Sequence, residues 1–413
     1  MSVKYQLIRF TSIIFSVSII GSFFSVINRV IIANHLNTVE YSTFAQSWIY
    51  FTFFLITSTL SLPNIFALKY ATNLKNNVSN QELISNVIII VGISSSLSTL
   101  AFSIFLSFII DNTLFVILIS LSLLGYSAML IYQSYLRSSG RIKLDSVLNI
   151  ILPIIRFLFL YIGMQFRLFK SVNLLIFLFY FPYEILFLII LLIEYRKIIN
   201  IEQFKIGYNN IKELLRISFY YFLISSTFPF LFFIFTTVEK NKFIVGETEL
   251  AYYPLTIIQL LVASIGTSLF IKLPKSTLSF QAIMNKLLSI SFVSVIYFIV
   301  LIITVTIGIL PKLWIFLFSE QHELSIGIFV YFLIMIPIYF FATNMIYVGM
   351  IKLEIKLVAY LSVLCTTATI ALIFGLNTLL KEKTMPIALM MYNSLILLGF
   401  IVLSKKQELD LRS

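Results

Sequence analysis

The sequence predicts an all-α polytopic membrane protein of about 12 transmembrane helices, arranged as two parallel six-helix repeats around a central cavity. Three observations predict it. The 413-residue chain is 60% hydrophobic and only 11% charged, with mean hydropathy +1.03, whereas a soluble domain is about 25% charged. Apolar runs long enough to cross a bilayer alternate with short polar breaks. Short charged motifs recur between the halves at one constant offset.

The apolar runs fall near 10–33, 44–68, 83–110, 113–135, 146–166, 172–193, 217–238, 251–271, 287–309, 325–348, 357–376 and 386–404. The first follows Lys4 and Arg9 but is too long for a signal peptide, and no small-x-small cleavage site follows, so it is read as a retained helix. Of the 29 Lys and Arg residues, all but Arg29 and Arg156 stand in connecting segments. They favour the side that holds the N-terminus by twenty to seven, the bias of the positive-inside rule, so both termini are expected in the cytoplasm. The net charge of +12 is thereby accounted for without a nucleic-acid partner. Residues 200–216 carry a basic linker between an N-terminal lobe, 1–199, and a C-terminal lobe, 217–413. One cysteine, Cys365, excludes a disulfide framework, and His35 and His322 lie in different connections, so no metal site is expected.

The repeat rests on three matches. Gly140-Arg-Ile-Lys-Leu-Asp145 recurs as Gly349-Met-Ile-Lys-Leu-Glu354, Glu40 as Glu249, and Tyr183-Glu184-Ile-Leu186 as Tyr392-Asn393-Ser-Leu395, each 209 residues on. Six helices per repeat is an even number, so both copies insert the same way up. The expected consequence is a pseudo-two-fold along the membrane normal and transport by rocking of the lobes.

Three ionisable residues lie within spans: Arg29, Arg156 and Glu184. A charge at mid-bilayer costs roughly 2.5–3.5 kcal/mol on insertion scales, so each asks for a partner or a use. Arg156 and Glu184 sit at matching depths, roughly 15–18 Å below the same surface on adjacent helices, and are expected to pair and to line the cavity. The plain alternative is a staple between two helices. In the cavity Arg156 would meet an anionic group and Glu184 would bind a coupling ion, with Asn393 keeping a polar group at the repeat-equivalent position. Arg29 either snorkels to the surface or continues a polar stripe through Ser18, Ser22 and Ser25. A second stripe runs through Gln46, Tyr50, Thr57, Ser61 and Asn64. Arg29, Arg156, Ser25, Gln46, Tyr50 and Asn64 are therefore the candidate substrate-binding residues. Arginine suits phosphate oxygens, which its planar donors grip in pairs. The 42 Phe and 22 Tyr are chiefly lipid-facing or interfacial in this reading, with sugar stacking as the alternative.

The chain resembles the polysaccharide-transporter branch of the flippase superfamily that also holds the multidrug-extrusion (MATE) proteins, and within it the bacterial O-antigen flippases called Wzx. The segments that carry this are His35-Leu-Asn-Thr-Val-Glu-Tyr-Ser-Thr-Phe44, Leu136-Arg-Ser-Ser-Gly-Arg-Ile-Lys143 and Glu249-Leu-Ala-Tyr-Tyr-Pro254, with Tyr41 standing where the family usually has glycine. The resemblance implies an undecaprenyl-pyrophosphate-linked O-antigen unit turned from the cytoplasmic to the periplasmic leaflet of the bacterial inner membrane. It implies a polyprenyl-linked oligosaccharide and membrane lipid as partners, with an O-antigen polymerase and a chain-length regulator downstream. No cofactor is expected, only coupling to a proton or sodium gradient. A MATE-like exporter of cationic drugs would want an acidic cavity, and a glycan polymerase or ligase a large outer loop with clustered Arg, His or carboxylates. No nucleophile–base pair, Gly-rich phosphate loop or metal cluster stands in the sequence, so no enzyme activity is expected.

Overall fold

The computed structural model describes residues 3–75, 78–166, 171–190, 206–256 and 291–410, and every regular element among them is helical. In chain order these are α1 (Val3–His35), α2 (Thr38–Thr59), α3 (Leu62–Lys75), α4 (Gln81–Ser107), α5 (Thr113–Ser138), α6 (Ile142–Gln165) and α7 (Val172–Ile190). Then follow α8 (Tyr208–Ser225), α9 (Thr227–Val238), α10 (Lys242–Tyr252), α11 (Ser291–Thr306), α12 (Ile309–Phe318), α13 (Glu323–Lys352), α14 (Ile355–Leu380) and α15 (Thr384–Asp410). The expected span 251–271 beyond Thr256, the first residues of the span 287–309 and residues 200–205 of the linker lie outside the described residues. Five described stretches are long and apolar enough to cross a membrane, and up to seven if two bent pairs each count as one span. The protein is an all-α polytopic membrane protein.

Two spans read as continuous are broken, each with a local cause, and a third run is followed by a sharp turn into a further helix. The run 44–68 divides after Thr59, where Leu60 and Ser61 take φ of 46° and 56°, in the left-handed region that disfavours side chains. Pro63 follows; it cannot donate to the carbonyl of Thr59, and its ring clashes with that turn. The run 217–238 bends by 57° between α8 and α9, where Pro229 likewise withholds a donor from Ser225. The run ending near 309 stops at Gly308, φ 74°, and turns by 70° into α12, in a stretch read from sequence as a connection. The stretch 239–250, between two of the expected spans, is also helical, forming α10 with Asn241 as its cap, which accepts from the Phe243 N–H at 3.1 Å.

The described chain forms two compact units. One comprises Met1–Ile19, Arg29–Ala45 and Phe230–Ser413; the other Ile20–Asn28 and Gln46–Pro229. In the second unit, small polar residues let helices approach closely. Ser58 and Ser127 hydroxyls meet at 2.6 Å, and Ser98 donates to Thr57 at 3.2 Å. Pro153 cannot donate to the Asn149 carbonyl one turn back. The middle of α1 lies against that carbonyl, so closely that a Cβ on Gly21 would stand 2.7 Å from it, while Asn28 Nδ2 donates to the Pro153 carbonyl at 3.0 Å. In the first unit α10 presses on α2 at Gly246, where a Cβ would meet Ser42 Oγ at 2.6 Å. On α4, Ile93, Leu97, Leu100 and Ile104 are exposed at i, i+4, i+7 and i+11, an apolar stripe suited to lipid.

Candidate functional site

A cluster of buried polar and charged groups in the first unit gathers where α1 ends. The last turns of α1 carry Arg29 and Ala33, α2 supplies Tyr41, and α10 supplies Glu247 and Glu249. Arg29 forms an ion pair with Glu249 at 3.0 Å, both side chains out of solvent at 0% and 4% exposure. The guanidinium also lies 4.4 Å from the ring centres of Phe44 and Tyr253, in cation–π range. Tyr41 donates its hydroxyl to the second Glu249 oxygen at 2.7 Å. Arg29 therefore does not snorkel; a buried carboxylate neutralises it. Tyr41, the residue that departs from the family pattern, is part of what holds that carboxylate.

A second buried pair adjoins the first. His322 Nδ1 lies 2.6 Å from Glu247 Oε1, and its Nε2 lies 3.1 Å from the Ala33 carbonyl. The other Glu247 oxygen accepts from the Ser325 amide at 3.1 Å, and Trp314 donates to the Ser325 hydroxyl at 2.8 Å. Gln321 Nε2 donates to the carbonyls of Ala33 and Leu36 at 3.0 and 3.1 Å. These side chains satisfy carbonyls that the end of α1 leaves without helical partners. Arg29, Ala33, Leu36, Tyr41 and Phe44 come from the first half of the chain and the rest from the second, yet all lie in one compact unit.

Arg156 is built differently. It stands on α6 in the second unit, 4% exposed, with Nε donating to the Phe179 carbonyl at 3.1 Å. Its guanidinium is caged by Tyr183 at 4.1 Å, Phe179 at 4.3 Å and Trp48 at 5.7 Å. Nη2 is buried and makes no hydrogen bond among the described residues. The expected pairing with Glu184 is corrected here. Arg156 packs on the edge of α7 that carries Phe179 and Tyr183, and Glu184, one residue further on, is turned about 100° away. It accepts instead from Ser122 on α5 at 3.0 Å. Matching depth fixed the height of the two groups and left their rotation open.

The remaining sequence-selected residues do not converge on one point. Ser25 donates to the Gly21 carbonyl of its own helix at 3.0 Å. Gln46 is buried, and Tyr50 is buried with its ring edge against Phe105. Asn64 is exposed on α3. Asn393, on α15 in the first unit, is buried and donates to the Leu389 carbonyl at 2.7 Å. The serine and threonine stripe on α2 is partly packing: Thr57 takes the bond from Ser98, and Ser61 pairs with Ser225. Sequence reasoning missed Glu247, named His322 only as a histidine in a connection, and noted Glu249 only as a repeat match and as the start of a segment that carries the resemblance. A carboxylate pair two residues apart beside a span was the available signal for both glutamates. No group of three His, Cys, Asp or Glu able to hold a metal occurs among the described residues.

The fold is similar to that of solved MATE/MOP-superfamily transporters: an inward-facing multidrug-resistance MATE transporter matches with TM-score 0.67 over 95% of this chain and 96% of its own, at 14% identity. The lipid II flippase MurJ, in an inward closed conformation, matches with TM-score 0.69 over 96% of this chain and 87% of its own, also at 14% identity. A MOP-superfamily transporter from Pyrococcus furiosus, described as having a binding pocket of reverse polarity, matches with TM-score 0.64 over 97% of both chains at 13% identity. No family model and no curated protein matches the sequence.

Proposed function

We propose that this chain is a flippase that turns a polyprenyl-pyrophosphate-linked oligosaccharide across the membrane by alternating access. The substrate best suited is an undecaprenyl-linked O-antigen unit, moved from the cytoplasmic to the periplasmic leaflet of a bacterial inner membrane, with both termini cytoplasmic. The observation that carries this reading is Arg156. A buried guanidinium in an aromatic cage, without a carboxylate in ion-pair range among the described residues, has donors and charge to offer an anion. Trp48 and Tyr183 beside it present faces of the kind that stack on sugar rings. The shared fold with a lipid II flippase supports a lipid-linked substrate.

The test is complementation of a strain that lacks its own O-antigen flippase, at matched membrane abundance, read as long-chain lipopolysaccharide. Arg156→Ala is expected to abolish the product, with Arg156→Lys retaining a fraction. An Arg156→Ala chain that restores full-length product overturns the role of the arginine. A wild type that fails with every glycan offered overturns the flippase reading.

A second reading, an ion-coupled small-molecule exporter, is favoured by Glu184. It is half-buried, accepts from Ser122, and has no cation in ion-pair range among the described residues, as a coupling site for a proton or sodium ion requires. Glu184→Gln with transport measured against an imposed gradient decides whether that carboxylate couples.

A further inference from the structure

We propose that His322 and Glu247 form a proton-binding site, one that holds a single proton between Nδ1 and Oε1 and thereby ties the end of α1 to the turn before α13. The proposal goes beyond the ion role given to Glu184 and is independent of which substrate is carried. Hydrogen-bond valence is its basis. A carbonyl oxygen only accepts, so the contact of Nε2 with Ala33 requires Nε2 to bear hydrogen. In a neutral imidazole Nδ1 is then a bare acceptor. It faces Glu247 Oε1 at 2.6 Å, and an ionised carboxylate is also only an acceptor. Two acceptors at that distance repel unless a proton lies between them. The pair is therefore imidazolium with carboxylate, or imidazole with carboxylic acid, and both forms contain the same one dissociable proton.

Burial opposes a net charge on the dyad. His322 and Glu247 are 0% and 1% exposed, and Glu249 is already matched by Arg29, so loss of the proton leaves one unmatched buried negative charge. The dyad also stands at the C-terminus of α1, where the helix dipole favours a cation. Tyr41 from α2 meets the imidazole edge-on at 5.3 Å and is itself within electrostatic reach of Arg29, Glu249 and Glu247. Glu320 and Glu323, beside His322 in sequence, are exposed. Release balances simply: the proton passes to water, and neutral imidazole is left facing carboxylate. Relief comes when the ring turns or the turn moves off, and either breaks the bond to Ala33.

The chain contains two histidines, which makes the test direct. The full-length protein carrying His35→Gln, with ¹⁵N-labelled histidine and in lipid nanodiscs, leaves His322 as the one histidine signal. At neutral pH both ring nitrogens are expected to be hydrogen-bonded to a shared or bound proton, with a far-downfield proton resonance. Glu247→Gln, whose amide can donate to Nδ1, is expected to abolish that resonance and leave a neutral ring. A neutral wild-type ring with a bare Nδ1 at neutral pH overturns the site, whatever the variant does. The mechanical part is read by disulfide formation between Asn34→Cys and Leu317→Cys in a Cys365→Ser background, since Asn34 Nδ2 already donates to the Leu317 carbonyl at 2.7 Å. Cross-linking is expected to slow several-fold as alkali removes the proton, and to lose that dependence in Glu247→Gln. A wild-type rate that does not respond, after correction for thiol ionisation in a surface control, overturns the tie.

Discussion

Among the described residues two arginines, Arg29 and Arg156, lie buried, and the protein treats them in opposite ways. Arg29 meets a carboxylate that is itself held by a tyrosine, so its charge is spent inside one closed network. Arg156 meets aromatic faces, the Tyr183 hydroxyl and one carbonyl, with no carboxylate in ion-pair range among the described residues. The first arrangement is an ion pair whose worth lies in not being broken: removal of one partner leaves a buried charge at a cost of about 3–5 kcal/mol. The second draws on cation–π contacts of about 0.5–2 kcal/mol and leaves capacity for an anion. The residue type is the same at the two sites, and both side chains are buried. Their partners decide which one holds the structure and which one is available for chemistry.

The largest expected effect tests the first half of that contrast. Glu249→Ala should lower stability by about 3–5 kcal/mol, read as thermal unfolding in detergent, and Arg29→Met combined with Glu249→Leu should recover most of it. If Glu249→Ala unfolds with wild type, Arg29 is not held by this pair and the contrast collapses. Gly21→Ala comes next. The new methyl is driven onto the Asn149 carbonyl, and an overpacking penalty of about 1–3 kcal/mol is expected in the same assay. Arg156→Met should lose only about 0.5–2 kcal/mol while transport disappears. A stability loss as large as that of Glu249→Ala would make Arg156 a second structural charge. The smallest effect belongs to Lys69 and Glu213, paired at 2.9 Å but 30% and 46% exposed. Lys69→Met should change stability by about 0–1 kcal/mol and should do so less in high salt.

Much of the fold was legible because hydropathy is local. The runs that became α4, α5, α6, α13, α14 and α15 were read from composition alone, within a few residues. The breaks were less visible: Pro63 and Pro229 stand in the sequence as signals, but an apolar run continues through each and masks the turn. At the site, depth was legible and azimuth was not, which is how Arg156 and Glu184 came to be matched. The partners of Arg29 and His322 lie far away in sequence, so no motif at fixed spacing could join them. His322, read as one of two scattered histidines, owes its setting wholly to the tertiary fold.

The two glutamates matched across the expected repeat stand in different settings. Glu40 accepts from the Asn37 amide at 3.2 Å, while Asn37 Oδ1 accepts from the Glu40 amide at 2.9 Å, a reciprocal cap on α2. Glu249, its counterpart 209 residues on, neutralises Arg29. A chain engineered as two tandem copies of the first half would therefore reproduce the helices and lose their compatibility. Its second copy would supply a capping glutamate where Arg29 needs a buried one, and the arginine would be stranded without a counter-charge. The halves are not interchangeable parts.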